Sequence, residues 1–186
     1  RFRPVASRFR AEHGLEDKTV VLGVSARWDE KKGLPDFLAL SGMLSEGCRV
    51  VLVGLSKKQI AALPSCVLGL EATVSAGALA EIYSAPDVFF NPSIEKTMGM
   101  VTVEAMACGT PVIVYDQTAV PEAVNGRCGF VVARAQGVQR AAQIINSGQF
   151  KSVSRSDCVK AAGRFALGTM TDAYLRLYGA LLGRTL

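Results

Sequence analysis

Asp87-Val-Phe-Phe-Asn-Pro-Ser-Ile-Glu-Lys-Thr-Met-Gly-Met-Val-Thr-Val-Glu-Ala-Met-Ala-Cys-Gly-Thr-Pro-Val-Ile-Val114 packs a strand, a loop, a helix and a second strand into one stretch. Asp87-Val-Phe-Phe-Asn91 is short, apolar and aromatic, as a strand buried on both faces should be. Met100 to Ala107 reads as helical, Gly109 ends that helix, and Pro111 opens the strand that follows. A strand, a helix and another strand in this order form a crossover unit of a parallel sheet.

The alternation extends in both directions. Upstream, Thr19-Val-Val-Leu-Gly-Val24 is a continuous β-branched run. Leu34 to Leu44 carries apolar residues at helical spacing with Pro35 in the first turn. Arg49-Val-Val-Leu-Val53 is a second buried strand closed by Gly54, and Ser56 is the N-cap of a helix reaching Leu63. Val67 to Val74 is a weaker strand, and Leu79 to Ser84 a short helix. Downstream, Gly129-Phe-Val-Val132 is a strand, and from Ala135 the pattern is helical, ending in Ala173 to Leu182. The fold class is therefore α/β: a Rossmann-like parallel sheet with helices on both faces. No long linker or internal repeat divides residues 1–186, which read as one domain.

Composition narrows the function. The net charge of +5 suits an anionic ligand, but no arginine-rich run supports nucleic-acid binding. The cluster Arg1, Arg3, Arg8 and Arg10 reads as a solvated surface. Five cysteines with no CxxC pair argue against a disulfide framework and for a reducing, cytoplasmic compartment. The single histidine, His13, argues against a His-rich metal site and reads as a surface residue. No apolar run approaches the roughly 20 residues of a membrane span. A chain that begins at Arg1 rather than Met suggests a fragment or a processed protein.

In such a sheet, ligands sit beyond the carboxyl ends of the strands. Three stretches there look chemical. Ser25-Ala-Arg-Trp-Asp-Glu-Lys-Lys-Gly33 places Arg27 and Lys32 on a strand-to-helix loop. It reads either as a phosphate grip or as a solvated charged loop, since Asp29 and Glu30 cancel part of its charge. The helix beginning near Gly99 exposes N–H groups from Gly99 to Thr102, a ready anion site. Glu104, one turn in, can accept two hydrogen bonds from a vicinal diol such as a ribose, or can merely favour the helix start electrostatically. Tyr115-Asp-Gln-Thr-Ala-Val-Pro-Glu122 is an ordinary connection, or a place where Thr118 and Ala119 meet a phosphate. Trp28 lies over a base or sugar, or packs the loop. Cys108 and Tyr83 read as packing residues.

Taken together, Gly23-Val-Ser-Ala-Arg27 with Lys32-Gly33, Val51-Leu-Val-Gly54, Tyr83-Ser-Ala-Pro-Asp-Val-Phe-Phe-Asn-Pro-Ser93, Gly99 to Ile113, Val120-Pro-Glu122 and Asn125-Gly126 with Gly129-Phe-Val-Val132 resemble the C-terminal domain of GT-B-fold retaining glycosyltransferases of family 4. The resemblance implies a domain that binds a nucleoside diphosphate sugar, without an essential metal or other cofactor. It implies Arg27 and Lys32 at the diphosphate, Glu104 at the ribose hydroxyls, and the backbone of Met98, Gly99, Met100 and Val101 near sugar and phosphates. Gly23, Thr118 and Ala119 would lie beside the donor. It also implies an N-terminal acceptor-binding domain absent from this chain, so the domain alone would not carry out transfer. The acceptor would be a polysaccharide or glycolipid, and the whole enzyme could touch the inner face of a membrane. Arg1-Phe-Arg-Pro4 is similar to the inter-domain linker of that family, and the last helices to those that pack back toward the missing domain. One departure stands out. The family pattern has two glutamates separated by seven residues, and counting back from Glu104 the first position is Lys96, with Glu95 one residue early. Either Glu95 shifts into place, or the donor sugar differs, or the chain binds a sugar nucleotide without transferring it. Epimerases and phosphorylases share the broad fold, but no acid/base pair or pyridoxal-bearing lysine can be placed here.

Overall fold

Six parallel strands lie side by side in a computed structural model that describes residues 1–95 and 98–183. In chain order they are β1 (Thr19–Val24), β2 (Cys48–Val53), β3 (Val67–Leu70), β4 (Val88–Asn91), β5 (Val112–Tyr115) and β6 (Gly129–Val132). In space the order is β3-β2-β1-β4-β5-β6. The chain thus builds outward from β1 in one direction, then returns to the other side of β1 with β4. The order reverses between β1 and β4, which is where an open α/β sheet leaves a crevice.

The helices are α1 (Phe9–Glu12), α2 (Leu34–Ser41), α3 (Lys57–Ala61), α4 (Ala76–Ser84), α5 (Met100–Ala107), α6 (Gly137–Asn146), α7 (Arg155–Gly163) and α8 (Leu167–Leu181). Successive strand residues point to opposite faces, and both faces are buried. Val21, Leu52, Phe90 and Ile113 pack with Phe37 and Leu40 of α2 and Ile144 of α6. Their neighbours Leu22, Val53, Phe89 and Val112 pack with Tyr83 of α4, Val103 and Met106 of α5 and Ala161 of α7. This is why the strands read as unbroken apolar runs rather than alternating ones.

Several boundaries differ from the sequence reading for reasons that lie elsewhere in the chain. β3 stops at Leu70 rather than Val74, because β2 turns away at Gly54 and the Gly54 and Leu55 amides both donate to the Leu70 carbonyl. α2 ends at Ser41 rather than Leu44. Asn146 of α6 holds the following segment open, accepting from the Ser45 amide and donating to the Met43 carbonyl. α4 starts at Ala76 rather than Leu79, because the Ser75 hydroxyl accepts from the Ala78 amide and caps it. Ser56 caps α3 as expected and forms a reciprocal box with Gln59.

The arginine cluster is not uniformly solvated. Arg8 is exposed. Arg10, however, is partly buried and donates to the Ala85 carbonyl at 2.7 Å, the Lys18 carbonyl at 3.2 Å and Asp87 Oδ2 at 2.5 Å. The same Asp87 oxygen accepts from the Val20 amide at 2.8 Å. This network ties the N-terminal segment to the starts of β1 and β4. Arg10→Ala is expected to cost about 1.5–3 kcal/mol in urea unfolding, the scale of hydrogen bonds to a charged group. Arg10→Lys should recover only part of that, since one ammonium cannot serve three separate acceptors in a fork.

Cys108, Cys128 and Cys158 are fully buried. Burial, aided by neighbouring Cys128, pushes the Cys158 thiol up to about 12, which keeps it a packing group. α8 is the outlier of the fold. Gly179 is its one buried residue, whereas Leu167, Met170, Tyr174, Leu175, Leu177, Tyr178 and Leu181 are all exposed. Among the described residues no helix is long and apolar enough to cross a membrane.

Candidate functional site

A cleft of about 820 Å³ opens at the carboxyl ends of the strands, over the gap between β1 and β4. Ser25, Ala26, Arg27 and Lys32 line it from the loop after β1. Ile94, Glu95, Met98, Gly99, Met100 and Val101 line it from the connection into α5, and Thr118 from the loop after β5.

The β1–α2 loop is pinned at several points, so its cations have a fixed base. The Ser25 hydroxyl donates to the Arg27 carbonyl at 2.6 Å. The Trp28 indole donates to the Val53 carbonyl at 2.9 Å, and its ring meets Phe37 edge-on at 5.5 Å. Trp28 is 6% exposed, so it packs the loop rather than covering a ligand. Asp29 accepts from the Lys32 amide and caps a single turn ending at Lys32. Gly33 then takes φ +78°, and a Cβ there would lie 2.4 Å from the Pro92 ring. Only glycine lets the two loops come this close.

The two loops are also bonded to each other. The Ile94 amide and the Ser93 hydroxyl both donate to the Lys31 carbonyl, and Lys32 Nζ donates to the Glu95 carbonyl at 2.9 Å. Lys31 and Glu95 form an exposed ion pair at 2.7 Å. The ammonium of Lys31 holds the Glu95 carboxyl below the usual carboxylate range. The Glu95 side chain is thus directed toward the β1–α2 loop. Lys96 lies outside the described residues.

The start of α5 is set by buried polar contacts. The Asn91 amide donates to the Thr102 hydroxyl at 2.8 Å, and its carbonyl oxygen accepts from the Ser93 amide at 3.3 Å. Gly99 sits between Val120 and Asn91 at φ +69°, where a Cβ would press on Val120 at 2.9 Å. The Thr102 amide, expected to be open, donates to the Gly99 carbonyl at 2.8 Å, so the N–H groups left to face a ligand are those before it in the first turn, which have no carbonyl within the helix to bond. Here that end, with its partial positive charge, belongs to the cleft wall that also carries Arg27 and Lys32. Thr118 lines the cleft with φ +60°, the one non-glycine residue with positive φ among the described residues. Such backbone strain collects at functional positions.

The remaining expected residues fall elsewhere. Glu104 lines a neighbouring cavity of about 390 Å³, walled by Val103, Ala107, Phe165 and the N-terminal Arg1, Phe2 and Arg3. Met100 lines both cavities. Glu104 is four residues on, so it stands on the same face of α5, about 6 Å further along. The Tyr83 hydroxyl donates to Glu104 Oε2 at 3.0 Å. Gly23 does not line the cleft: a Cβ there would lie 2.4 Å from the Phe37 ring, so its smallness serves packing of the sheet against α2. Ala119 is likewise set back, preceding the single-turn helix Val120–Ala123. Ser25, Ala26 and Ile94 line the cleft without having been expected to, although their positions directly after strands would have suggested them. Among the described residues no cluster of His, Cys, Asp and Glu could hold a metal ion. Two cations and a helix start around one opening can bind a polyanion and stabilise charge growing on it.

The profile of the family described as glycosyl transferases group 1 matches residues 18–147. The D-inositol 3-phosphate glycosyltransferase of Segniliparus rotundus is 30% identical over 194 aligned positions, covering 93% of this chain and 42% of that protein. The sulfoquinovosyl transferase SQD2 of Arabidopsis thaliana is 28% identical, over 70% of this chain and 27% of its own length. The chain therefore spans less than half the length of these curated relatives. Among solved structures, Anabaena Alr3699/HepE in complex with UDP and glucose superposes with a TM-score of 0.78 at 23% identity, over 94% of this chain and 52% of that one. The C-terminal domain of LpcC, a glycosyl transferase group 1 family protein of Francisella tularensis, superposes with a TM-score of 0.67 at 17% identity, over 87% of this chain and 94% of that one.

Proposed function

The chain belongs to the glycosyl transferases group 1 family, and from that premise we propose that it is the donor domain of a retaining glycosyltransferase, binding a nucleoside diphosphate sugar in the cleft between β1 and β4. The observation that carries this reading is the shared cleft of Arg27, Lys32 and the start of α5. A diphosphate placed there meets a planar guanidinium fork, an ammonium held at the Glu95 carbonyl with protons left to donate, and a helix end. As the bond from sugar to diphosphate breaks, negative charge grows on the departing oxygen, and these groups stabilise it without a metal ion. Met100 lines both the cleft and the cavity of Glu104, so a nucleotide passing over it would bring its ribose to that carboxylate. The UDP and glucose bound to Alr3699/HepE support the ligand class.

The acceptor, a polysaccharide or glycolipid on this reading, would sit on a separate N-terminal domain. The apolar side chains that α8 leaves exposed are suited to packing against it. The enzyme would work in the cytoplasm, with peripheral contact at the membrane where the acceptor is a lipid. A second reading, a module that binds the sugar nucleotide without transferring it, rests on Lys96, which stands where the family pattern has its first glutamate. Transfer assays on the full enzyme carrying Lys96→Glu separate the two: a gain in turnover marks the lysine as the block.

Calorimetric titration of the protein with UDP, GDP and ADP tests the donor assignment. Saturable binding of at least one, with one site per chain, is the expected result. Heats no larger than dilution for all three would remove the reading.

A further inference from the structure

Tyr83 sits on α4 with none of its surface exposed, yet it is built into more than a core. Phe89 and Phe2 both meet its ring edge-on at 5.8 Å. Its carbonyl accepts from the Thr110 hydroxyl at 2.6 Å. The ring is thus clamped from two sides and its backbone from a third, and the only polar atom it presents is the hydroxyl on Glu104 Oε2. Burial, together with the adjacent carboxylate, raises the phenol well above its ordinary range, so it stays protonated and can only donate to the carboxylate.

We propose that Tyr83 is a positioning residue that fixes the plane and rotamer of the Glu104 carboxylate, and that this fixed carboxylate is what makes the site prefer a ribonucleotide to its 2′-deoxy form. The proposal rests on the donor-domain reading above, which puts the ribose at Glu104. A carboxylate recognises a vicinal diol well only when both of its oxygens lie in the plane of the two hydroxyls. A glutamate on a helix has three rotatable bonds, and anchoring Oε2 to a rigid phenol removes much of that freedom before the ligand arrives. Tyr83 would touch no substrate. Its effect would appear in how tightly the ribonucleotide binds, and not in binding of the 2′-deoxy form.

The test is a titration of the protein with whichever of UDP, GDP or ADP binds, and with the same nucleotide lacking its 2′-hydroxyl. The unaltered protein should prefer the ribonucleotide by about tenfold or more, the scale of a hydrogen bond to a charged group. Tyr83→Phe keeps the ring and its packing, and should reduce that preference to about threefold or less. The loss should come from weaker ribonucleotide binding, with 2′-deoxynucleotide binding unchanged within about twofold. Glu104→Gln should abolish the preference with or without Tyr83→Phe. Glu104→Asp, which keeps a carboxylate but draws it back from the phenol, should lose it too. Equal weakening of both nucleotides in Tyr83→Phe would reduce Tyr83 to a purely structural role and overturn the proposal, as would full preference retained in Tyr83→Phe or Glu104→Asp. If Glu104→Gln leaves the preference intact while the nucleotide still binds, the ribose placement itself fails. If no nucleotide binds the unaltered protein, the donor reading fails first.

Discussion

Arg27→Ala is expected to weaken nucleoside diphosphate binding by about 10- to 150-fold, equivalent to about 1.5–3 kcal/mol for hydrogen bonds to a charged group. Arg27 is exposed on the cleft wall, and the loop beneath it is held by Ser25, Trp28 and Asp29 rather than by its own side chain. The substitution should therefore leave the midpoint of thermal unfolding almost unchanged, which separates a lost contact from a lost fold. Arg27→Lys should keep part of the affinity, because it retains the charge but not the fork. Binding by the parent should also weaken with added salt, since the exposed Arg27 and the half-buried Lys32 face an anion. Calorimetry and a melting curve on the same samples decide the matter.

Gly54→Ala is expected to damage both stability and binding. Gly54 follows β2 at φ +96°, and a Cβ there would lie 1.8 Å from the Ser25 carbonyl oxygen. That oxygen is backbone, so it cannot rotate away as a side chain would. The Ser25 amide donates to the Val53 carbonyl, and the Gly54 amide donates to the Leu70 carbonyl. The ends of β1, β2 and β3 are therefore knotted at this one position. Left-handed backbone costs a non-glycine residue about 1–2 kcal/mol, and overpacking adds about 1–3. Together they give a loss of about 2–5 kcal/mol in urea unfolding. Relief of the clash must move Ser25, the residue that leads into Arg27, so nucleotide affinity should fall in the fraction that still folds. Gly14→Ala is the control: φ is +62° there, but nothing lies within 4 Å of the added carbon, so only the backbone term applies.

What could be read from sequence was what neighbouring residues decide. Thr19–Val24, Met100–Ala107 and Gly129–Val132 are bounded as their local patterns indicate, because each is an uninterrupted apolar run or a helix with a glycine on either side. What could not be read was set from a distance. The tether from Asn146 that shortens α2 lies 101 residues from Ser45, and nothing near Leu44 announces it. Arg10 looked like one of four surface arginines because its partners Ala85 and Asp87 lie 75 and 77 residues away in sequence. Gly23 looked like part of a ligand loop, whereas the ring of Phe37 is what needs its space.

The candidate site divides the same way. Arg27, Lys32 and the start of α5 could be placed at one opening from strand ends alone, because the topology of a parallel sheet gathers those loops. Of the contacts that set their spacing, Gly33 on Pro92 depends on the loops of two neighbouring strands meeting, and Asn91 on Thr102 on how the β4–α5 connection folds back. Glu104 was expected in the same pocket, and it lies in the next cavity along the helix, with Met100 as the shared wall.

The most direct measurement of the donor-domain account is a crystal structure of the protein with a nucleoside diphosphate bound, beginning with UDP. The account predicts the β-phosphate within hydrogen-bonding distance of Arg27, Lys32 and the amides that open α5, and the ribose hydroxyls on Glu104. A nucleotide seated away from the gap between β1 and β4, or one in that cleft whose ribose points away from α5, would contradict it.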